Sequence, residues 1–520
     1  MAPPTRYHAG MSSFAPIYTS AAIRQLEQAA PAELGSLMAR AGEAAAAHAR
    51  RMLGADPQRP GRNVLIVAGP GNNGGDAFEV AVHLKASFYR VTVVFIGAGE
   101  NARERLPDDA KRAYAKWQAA GGSVVANIPA LGTGPARWDL VVDGLFGIGL
   151  GRALEGRHAE LVGQINALRA PVLALDIPSG LNGDTGAVMG CAVRATETIT
   201  FIALKPGLLT LDGPDYCGLL HCDTLGLAPA SLLAPPGALL DASARQALAP
   251  RPRNFHKGNA GEVAVIGGAD GMLGAAFLAG RAAIRTGAGK VFLGLLATDV
   301  PAWDPLQPEL MLRGPSAAMA EASVIVAGPG LGQSEAAVSV LRSALAAERP
   351  LVLDADALNL IAGDASLAEL TTRRNAATLM TPHPAEAARL LGVPTTEVQR
   401  DRIAATLAIA ARYNGIVVLK GNGSIVAAPP GSSPAAPGWW INTSGNPGMA
   451  SAGMGDALAG IAASLLAQGL QALAALQLAV WAHGAAADEC VAQGNGPLGI
   501  TATDVIDTAR RVLNRAGTTA

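Results

Sequence analysis

The sequence predicts two α/β domains, each built around a mostly parallel sheet with helices on both faces. Three observations lead to this class. The chain has 520 residues, more than the roughly 250 that a single core accommodates. Short aliphatic runs alternate with alanine-rich helical stretches, and such continuous apolar strands are typical of sheets covered on both faces. The 62 glycines and 4% aromatic residues fit glycine-turned α/β domains better than a disordered chain.

The first domain is predicted to begin with a helical segment from Ser20 to about Leu53, broken near Pro31. Five aliphatic runs then predict the strands of its sheet: 63–69, 91–97, 139–143, 172–176 and 198–202. A stretch rich in proline and alanine follows, between Leu227 and Arg253, and predicts the domain boundary. We therefore assign 1–230 to the first domain, 231–252 to a linker and 253–520 to the second domain. Six further runs predict the second sheet: 262–267, 290–294, 323–327, 351–354, 378–381 and 415–420.

The charge composition argues against several kinds of partner. Forty basic and 41 acidic residues give a net charge of −1, so no bulk field attracts nucleic acid or an anionic membrane. Prolines and charged residues interrupt the first twenty positions, where a secretory signal needs a continuous apolar run. The apolar tract 457–487 contains glutamines and His483, and we interpret it as two packed helices. We expect a cytoplasmic protein that binds neither nucleic acid nor membranes.

The four cysteines show no paired spacing, which suits a reducing compartment. Cys217, His221 and Cys222 form a single thiol and imidazole cluster, which we interpret as plain thiols rather than a metal site.

Three glycine-containing loops follow strands of the first domain, where ligands of open parallel sheets bind. Residues 69–76 let backbone N–H groups approach a phosphate at a helix start. Residues 143–151 precede Arg152, which can counter a phosphate, and 176–180 form the third loop. Together they favour a dinucleotide-like ligand, although an acidic residue at the Rossmann spacing is missing, which disfavours an ordinary dehydrogenase. Oxygens of these loops could also hold a cation, which the spacing leaves open.

Residues from about Ser20 to Leu227 resemble the NAD(P)H-hydrate epimerase domain. The resemblance rests on Gly-Pro-Gly-Asn-Asn-Gly-Gly-Asp, Asp-Gly-Leu-Phe-Gly-Ile-Gly-Leu and Leu-Asp-Ile-Pro-Ser-Gly-Leu. It implies a Rossmann-like three-layer sandwich with potassium held by Asn73, Asp143 and Ser179. The residues that it implies for binding the hydrate are Asn72, Asn73, Gly74, Gly75, Asp76, Gly147, Ile148, Gly149, Leu150, Gly151, Arg152, Ala153 and Asp176. The chain departs from the family pattern at Ala77, where a third glycine is usual.

We expect Asp176 to act as general acid and base in the epimerisation. A hydrated nicotinamide carries its hydroxyl on a carbon bonded to nitrogen, so hydroxide can leave and return on the other face. One group that shuttles the proton, in a pocket that excludes bulk water, is sufficient for this reaction.

In the second domain, Gly453-Met454-Gly455-Asp456 begins an apolar helical run. Backbone N–H groups at that helix start form a hole for an anion. Asp456 is placed to take a proton from a hydroxyl that attacks phosphorus. The Lys420–Ser424 loop follows a strand and suits nucleotide phosphates, while prolines hold His383 at the end of another strand.

Residues 250–515 are similar to the ribokinase-like ADP-dependent NAD(P)H-hydrate dehydratase. The carrying segments are His256-Lys257-Gly258, Ala327-Gly328-Pro329-Gly330-Leu331-Gly332, Asp354-Ala355-Asp356-Ala357-Leu358-Asn359, Thr381-Pro382-His383-Pro384 and Gly445-Asn446-Pro447-Gly448-Met449-Ala450. The similarity implies hydrate contacts from Ala276, Gly330, His383 and Asp456. It implies nucleotide contacts from Lys420, Gly421, Asn422, Gly423, Ser424 and Gly455. One departure is Ala452, where the family more often has glycine.

The sequence thus predicts an enzyme that repairs hydrated nicotinamide cofactors. Its first domain would interconvert the R and S hydrates of NADH and NADPH, with K⁺ bound. Its second domain would dehydrate the S form with ADP and Mg²⁺, releasing AMP and phosphate. The alternative is a ribokinase-like small-molecule kinase fused to a non-catalytic dinucleotide-binding module. We also expect a homo-oligomer.

Overall fold

The computed structural model describes residues 15–54, 61–97, 104–129, 137–432 and 437–515. The chain forms two compact units: the first contains residues 16–236, and the second contains Ala15 and the described residues from Gly237 onward. Each unit contains a mainly parallel sheet and flanking helices, which confirms the predicted α/β class with two domains.

The first unit alternates strands and helices along the chain. Its elements are β1 (Pro16–Ile17), α1 (Ser20–Gln28), α2 (Leu37–Leu53), β2 (Asn63–Ala68), α3 (Asn72–Ala86), β3 (Arg90–Phe95), α4 (Asp108–Ala119), β4 (Val124–Val125), β5 (Leu140–Gly144), α5 (Gly156–Ala167), β6 (Val172–Leu175), β7 (Glu197–Phe201), α6 (Gly213–Cys217), β8 (Leu219–Asp223) and α7 (Pro229–Leu232). Neighbouring strands of its sheet pair in parallel, in the order β4-β3-β2-β5-β6-β7-β8. This is the parallel, Rossmann-like arrangement that was predicted.

The helical segment at the start of this unit is broken as the sequence predicts. Helix α1 ends before Pro31, and α2 begins after Ser36. Each helix has a hydroxyl cap: Thr19 Oγ1 accepts a hydrogen bond from the N–H of Ala22, and Ser36 Oγ accepts one from Ala39, both at 3.3 Å. Such caps satisfy backbone donors that have no partner within the helix.

The second unit is larger. Its elements are β9 (Gly237–Leu240), β10 (Glu262–Gly267), α8 (Leu273–Arg285), β11 (Lys290–Leu295), β12 (Leu310–Arg313), α9 (Pro315–Glu321), β13 (Val324–Ala327), α10 (Glu335–Ala346), β14 (Leu351–Leu353), α11 (Asp356–Gly363), α12 (Ala365–Thr372), β15 (Thr378–Met380), α13 (Pro384–Leu391), α14 (Thr395–Arg400), α15 (Arg402–Tyr413), β16 (Ile416–Leu419), β17 (Ser424–Ala427), β18 (Trp439–Asn442), α16 (Met454–Ala467), α17 (Ala472–Ala492) and α18 (Ala502–Asn514). Its strands run in the order β9-β18-β17-β16-β15-β14-β13-β10-β11-β12. The pairings of β17 with β16 and β18 are antiparallel.

Strand β9 lies within the segment 231–252, which the sequence analysis assigned to a linker. Its four residues are buried and pair in parallel with β18. A short 3-10 helix, Ala242–Ala247, follows it. The second unit therefore begins at Gly237, earlier than the proline and alanine content of the segment indicates.

The apolar tract 457–487 forms most of α16 and α17 and packs in the core of the second unit. In the part of the chain that the structure describes, we find no helix with the length and apolar character needed to cross a membrane. Helix α16 lies against α8 so closely that a Cβ added at Gly460 would be 2.1 Å from the carbonyl oxygen of Ala279. This contact brings the start of α8, with Ala276, toward the start of α16.

Candidate active sites

The first candidate site lies beyond the carboxyl ends of β2, β5, β6 and β7. Two glycines allow close backbone approaches here: Gly69 between the loops after β2 and β5, and Gly74 between the start of α3 and the loop after β2. A Cβ at Gly69 would be 1.7 Å from the carbonyl oxygen of Leu145, and one at Gly74 would be 1.9 Å from that of Gly69. Only glycine fits such approaches, so the loop sequence is required for the shape of the site.

We expect Gly69→Ala to disrupt this loop contact. The added methyl group meets a backbone oxygen that cannot move aside without shifting β5, so the first unit should lose at least about 1–3 kcal/mol of unfolding free energy. Thermal unfolding of the two variants measures the effect. Gly149→Ala is a matched control, because a Cβ there meets nothing within 4 Å. Equal thermal stability of the two variants would contradict the prediction.

Asp143 and Ser179, two of the predicted cation ligands, are in direct contact. The N–H of Ser179 donates to Asp143 Oδ2 at 2.8 Å, and its hydroxyl donates to Oδ1 at 2.6 Å. Both side chains are buried, and burial raises the pKa of Asp143. The N–H of Leu145 is a third donor, at 3.2 Å. All three donors are neutral, so the buried carboxylate has no cation among these contacts to balance its charge.

Asn73, the third predicted ligand, lies on α3 and is buried. Its Oδ1 and Nδ2 have no hydrogen-bond partner among the described residues. A Cβ at Gly147 would be 3.4 Å from Asn73 Cγ and from Asp176 Oδ2. The structure therefore places Asn73, Gly147 and Asp176 around one small space, and the Asn73 amide is available for a ligand in it.

Asp176 is held by Lys205, which is not among the residues predicted for this site. Lys205 Nζ donates to Asp176 Oδ1 at 2.5 Å, to Thr200 Oγ1 at 2.8 Å and to the carbonyl of Phe201 at 2.7 Å. The Lys205 side chain is 1% exposed. Asp176 itself has φ of +64°, a left-handed conformation that is rare for residues other than glycine and is often found at functional sites. Oδ1 is thus fixed by Lys205, while Oδ2 faces Gly147.

The other residues predicted for this site differ in burial: Gly74 and Gly75 are buried, whereas Asn72 is exposed. Burial, and then the charge of Asp176, raises the pKa of Asp76 well above its ordinary value. Residues 149 and 151–153 form an exposed turn, and Leu150 in it is half-buried. The methyl group of Ala77 is fully buried and points at Gly144, where an added Cβ would be 2.6 Å away. The departure at Ala77 is therefore accommodated against β5.

The second candidate site is centred on the first turn of α16. Gly453 precedes the helix with φ of +86°, and Gly455 and Asp456 follow in its first turn. Burial raises the pKa of Asp456 to about 7, and the neighbouring charge of Asp354 adds to this, while Lys420 opposes it. A carboxyl group with this pKa can exchange a proton near neutral pH.

Lys420 lies beside this helix start and is held by two buried carboxylates. Its Nζ is 2.8 Å from Asp354 Oδ1 and 3.8 Å from Glu386 Oε2. Burial alone would lower the pKa of Lys420, but the charges of Asp354 and Glu386 outweigh it and raise the pKa. A Cβ at Gly455 would be only 3.2 Å from Lys420 Nζ. Glycine there keeps the ammonium group close to the helix N–H groups, where an anion would bind.

A buried arginine, Arg402, donates hydrogen bonds to the backbone of the loop after Lys420. Arg402 NH2 lies 3.3–3.5 Å from the carbonyl oxygens of Leu419, Lys420 and Gly423. Burial lowers the pKa of Arg402 to about 10. Ser424 Oγ is 3.0 Å from the carbonyl oxygen of Gly421. The predicted nucleotide loop is therefore rigid at its base.

The predicted hydrate contacts lie on three elements. His383 caps α13, and its Nδ1 accepts a hydrogen bond from the N–H of Ala385. Its ring is half-exposed, and Nε2 lies 3.2 Å from Glu386 Oε1. Gly330 has φ of +56°, and a Cβ there would be 2.6 Å from the carbonyl of Met272, just before α8. Ala276 is buried on α8. The Glu386 carboxylate connects His383 with Lys420, but no hydrogen bond joins Ala276 or Gly330 to Asp456 among the described residues.

Two family models match the chain. One, described as YjeF-related protein N-terminus, matches residues 34–207, and the other, described as NAD(P)H-hydrate dehydratase, matches 263–511. The bifunctional NAD(P)H-hydrate repair enzyme Nnr of Escherichia coli K12 is 40% identical over 505 residues, covering 95% of this chain and 93% of the relative. The chain belongs to the family of bifunctional NAD(P)H-hydrate repair enzymes. The Nnr protein of Coxiella burnetii is 39% identical and covers 96% of this chain and 99% of the relative.

A solved structure is similar to the second half of this family member. The ADP/ATP-dependent NAD(P)H-hydrate dehydratase of Bacillus subtilis, co-crystallised with ATP and Mg²⁺, is 30% identical, with a TM-score of 0.46. The match covers 53% of this chain and 96% of the Bacillus protein.

Within this repair-enzyme chain, the second departure from the family pattern is also tolerated. Ala452 is exposed, and its methyl group lies outside the helix. Several residues that support the second site were not selected from sequence. The buried Glu386 could have been found from the capping-box spacing His383-Pro-Ala-Glu386. His483 could not have been found, because only the packing of α17 against α16 buries it, and this burial lowers its pKa to about 4.

We expect Asp354→Asn to shift the pH profile of the dehydratase. The negative charge of Asp354 raises the pKa of Asp456, so its removal should move the acid limb of dehydration to lower pH. Turnover should also fall, because Lys420 loses its closest carboxylate. A pH series of initial rates measures both effects. Asp507→Asn, on the exposed face of α18, should leave the profile unchanged, and an unshifted limb in Asp354→Asn would argue against this coupling.

Proposed function

We propose that the chain repairs hydrated NADH and NADPH in two steps, with the epimerase site in the first unit and the dehydratase site in the second. The observation that carries this proposal is a distinct acid–base carboxylate in each unit, Asp176 beside Lys205 and Asp456 beside Lys420. A stereoselective dehydratase uses one epimer, so an epimerase in the same chain supplies it from the other. The Escherichia coli relative is named for this combined repair.

In the epimerase site, Asp176 exchanges the proton through Oδ2. Lys205 occupies Oδ1, so Oδ2, which faces Gly147 and Asn73, is the oxygen that a hydrate can reach. Asp176 protonates the hydroxyl as the C–O bond breaks, and the ring-nitrogen lone pair stabilises the resulting cation. Water then adds to the other face and returns its proton to Asp176. Both steps need the pocket to exclude other nucleophiles.

The residues Asn73, Asp143 and Ser179 fit a monovalent cation. The unpartnered Asn73 amide and the uncompensated buried charge of Asp143 are the features that an oxygen-coordinated cation would satisfy. Potassium there would orient the phosphate or ribose oxygens of the hydrate. Asn73 is thereby both a cation and a substrate ligand in this proposal.

We expect K⁺ to raise the thermal unfolding temperature of the first unit, because an ion that binds only the folded state stabilises it. Na⁺ at the same concentration should raise it less. The increase should disappear in Asn73→Ala, which removes one ligand, and persist in Asn166→Ala, whose amide instead contacts the backbone of Ala192. Calorimetry in KCl and NaCl measures this without relying on activity. An identical response of the wild type to both salts would reject the cation site.

In the dehydratase site, Asp456 removes the proton of the hydrate hydroxyl, and that oxygen attacks the terminal phosphorus of ADP. The bond to the bridging oxygen breaks, and AMP leaves with its electron pair. Lys420 and the N–H groups around Gly455 stabilise the charge on the transferred group. The C–O bond then breaks with phosphate as leaving group, and loss of a ring proton restores the dihydronicotinamide. Mg²⁺ would neutralise charge on the nucleotide phosphates.

The deciding experiment incubates mixed R and S hydrates with the full chain, K⁺, Mg²⁺ and ADP, and measures recovered NADH. Complete conversion, with one AMP and one phosphate for each NADH, is the expected result. Conversion that stops at the S fraction would remove the epimerase half of the proposal. Recovery without any adenine nucleotide would remove the phosphoryl transfer. ATP in place of ADP tests the nucleotide preference, and phosphorylation of a simple alcohol without NADH recovery would favour the kinase alternative.

We further propose, from the sequence, a cytoplasmic homo-oligomer without nucleic-acid partners. Light scattering of the purified chain and a nucleic-acid mobility assay test these points.

A further inference from the structure

We propose that His48, Glu197 and His221 form a binding site for one divalent transition-metal ion of the zinc type, separate from the candidate active site of the same unit. The three side chains come from α2, β7 and β8 of the first unit. Their ligand atoms all lie within 4.8 Å of one another. The site is at the amino end of β7, about 13 Å along the strand from Phe201 at ~3.3 Å per residue. Phe201 contacts Lys205 at the opposite edge.

The geometry brings the donor atoms to a common point. His48 Nε2 is 2.7 Å and His221 Nε2 is 2.9 Å from the same oxygen, Glu197 Oε2. The imidazole ring centroids are 4.2 Å apart. A tetrahedral ion with ligands at roughly 2.0–2.2 Å needs donor atoms slightly farther apart than these. Small side-chain rotations would therefore open the cluster around an ion.

The donor set selects the kind of metal. Two imidazole nitrogens and one carboxylate oxygen suit Zn²⁺ and its neighbours, whereas Mg²⁺ and Ca²⁺ prefer oxygen ligands alone. The His48 side chain is 2% exposed, Glu197 20% and His221 40%. An ion can thus enter past His221, and water can complete its coordination there.

Arg51 is expected to weaken metal binding, because it favours the His48 tautomer whose Nε2 carries the proton. Its removal therefore provides a test of the site. Its guanidinium lies 2.6 Å from His48 Nδ1. Because arginine only donates, His48 in this arrangement carries its proton on Nε2, toward Glu197. Metal binding at Nε2 moves that proton to Nδ1, without net release, and requires Arg51 to turn away. Arg51 is exposed, so it can swing into solvent, and its removal should strengthen metal binding.

The test titrates Zn²⁺ into chelator-treated full-length chain by calorimetry, for wild type, His221→Ala and Arg51→Ala, with His83→Ala as a control histidine on α3. The expected result is one Zn²⁺ site that His221→Ala weakens by at least the 10- to 100-fold that loss of an outer-shell partner costs. Arg51→Ala should bind more tightly, and His83→Ala should match the wild type. Co²⁺ bound at the site should show visible bands without a thiolate charge-transfer band.

Three results would overturn the proposal. Wild type and His221→Ala could bind Zn²⁺ equally, Arg51→Ala could bind it more weakly, or the Co²⁺ complex could show thiolate ligation, which would assign the metal to cysteines. Unchanged epimerisation in His221→Ala, together with lost metal binding, would support a site independent of the proposed repair reaction.

Discussion

Replacement of Asp456 by asparagine is expected to reduce ADP-dependent dehydration by roughly 10²- to 10⁴-fold, the usual contribution of a general base. Asparagine keeps the size of the side chain in the first turn of α16 but cannot accept the hydroxyl proton. Lys420 and the helix N–H groups remain in place, so the Kd for ADP should change little. Single-turnover recovery of NADH from the pure S hydrate, with ADP binding measured by calorimetry, separates the two effects.

The stability of Asp456→Asn shows whether a loss of activity comes from unfolding or from the missing base. Burial raises the pKa of Asp456 to about 7 from an ordinary value of 3.8, so the folded state binds the proton more tightly than the unfolded state. The carboxylate therefore costs stability increasingly above pH 4, and the full cost is reached once pH exceeds about 7. The neutral amide removes that cost. Asp456→Asn should consequently unfold at a higher temperature than the wild type at pH 8, and near-normal turnover in this more stable variant would exclude Asp456 as the base.

The same pKa gives the wild-type pH dependence. The base acts when it is deprotonated, so kcat for dehydration should fall as pH drops through about 7. This acid limb should be absent from epimerisation of the same hydrates, for which we propose Asp176 instead. A common acid limb for both reactions would indicate a shared step, such as ionisation of the substrate.

The sequence predicted the strands that are both buried and apolar along their whole length. The buried parallel strands are continuous aliphatic runs, and each becomes a strand close to the predicted position, as β2 and β10 illustrate. Strands β17 and β18 were not predicted, because they lie beside a glycine-rich loop and a proline-rich segment. Their pairing with each other, rather than their composition, makes them strands. Strand β9 escaped prediction for the same reason.

The candidate sites were also only partly predictable from the sequence. Loops that follow strands were predictable, since topology places them at one edge of the sheet whatever the side chains do. The groups that hold the central carboxylates were not. Lys205 is 29 residues after Asp176 and reaches it only because β6 and β7 pair in parallel. Its one local signal is a charged residue within the apolar run Phe201-Ile-Ala-Leu-Lys205, where a cation is buried only when it has a partner.

Asp176→Asn is the second substitution with a large expected effect. Epimerisation should fall by roughly 10²- to 10⁴-fold, because the amide cannot shuttle a proton. Trapping one pure hydrate epimer and following its inversion by chromatography measures this directly. The dehydratase acts on the S hydrate in the other unit, so recovery of NADH from pure S hydrate should be unaffected. The single variant should also lose stability, because Lys205 stays buried without its carboxylate, and breaking such a pair costs about 3–5 kcal/mol.

The double variant Asp176→Asn/Lys205→Met separates chemistry from stability. Methionine fills the space of the lysine stem without a charge, so the double variant should recover most of the unfolding temperature that Asp176→Asn loses. Epimerisation should remain absent, since neither side chain can transfer a proton. If inversion returned together with stability, the loss in the single variant would have come from misfolding around Lys205. The acid–base role would then have to belong to another group, and Asp76 is the first candidate, because burial and the charge of Asp176 raise its pKa.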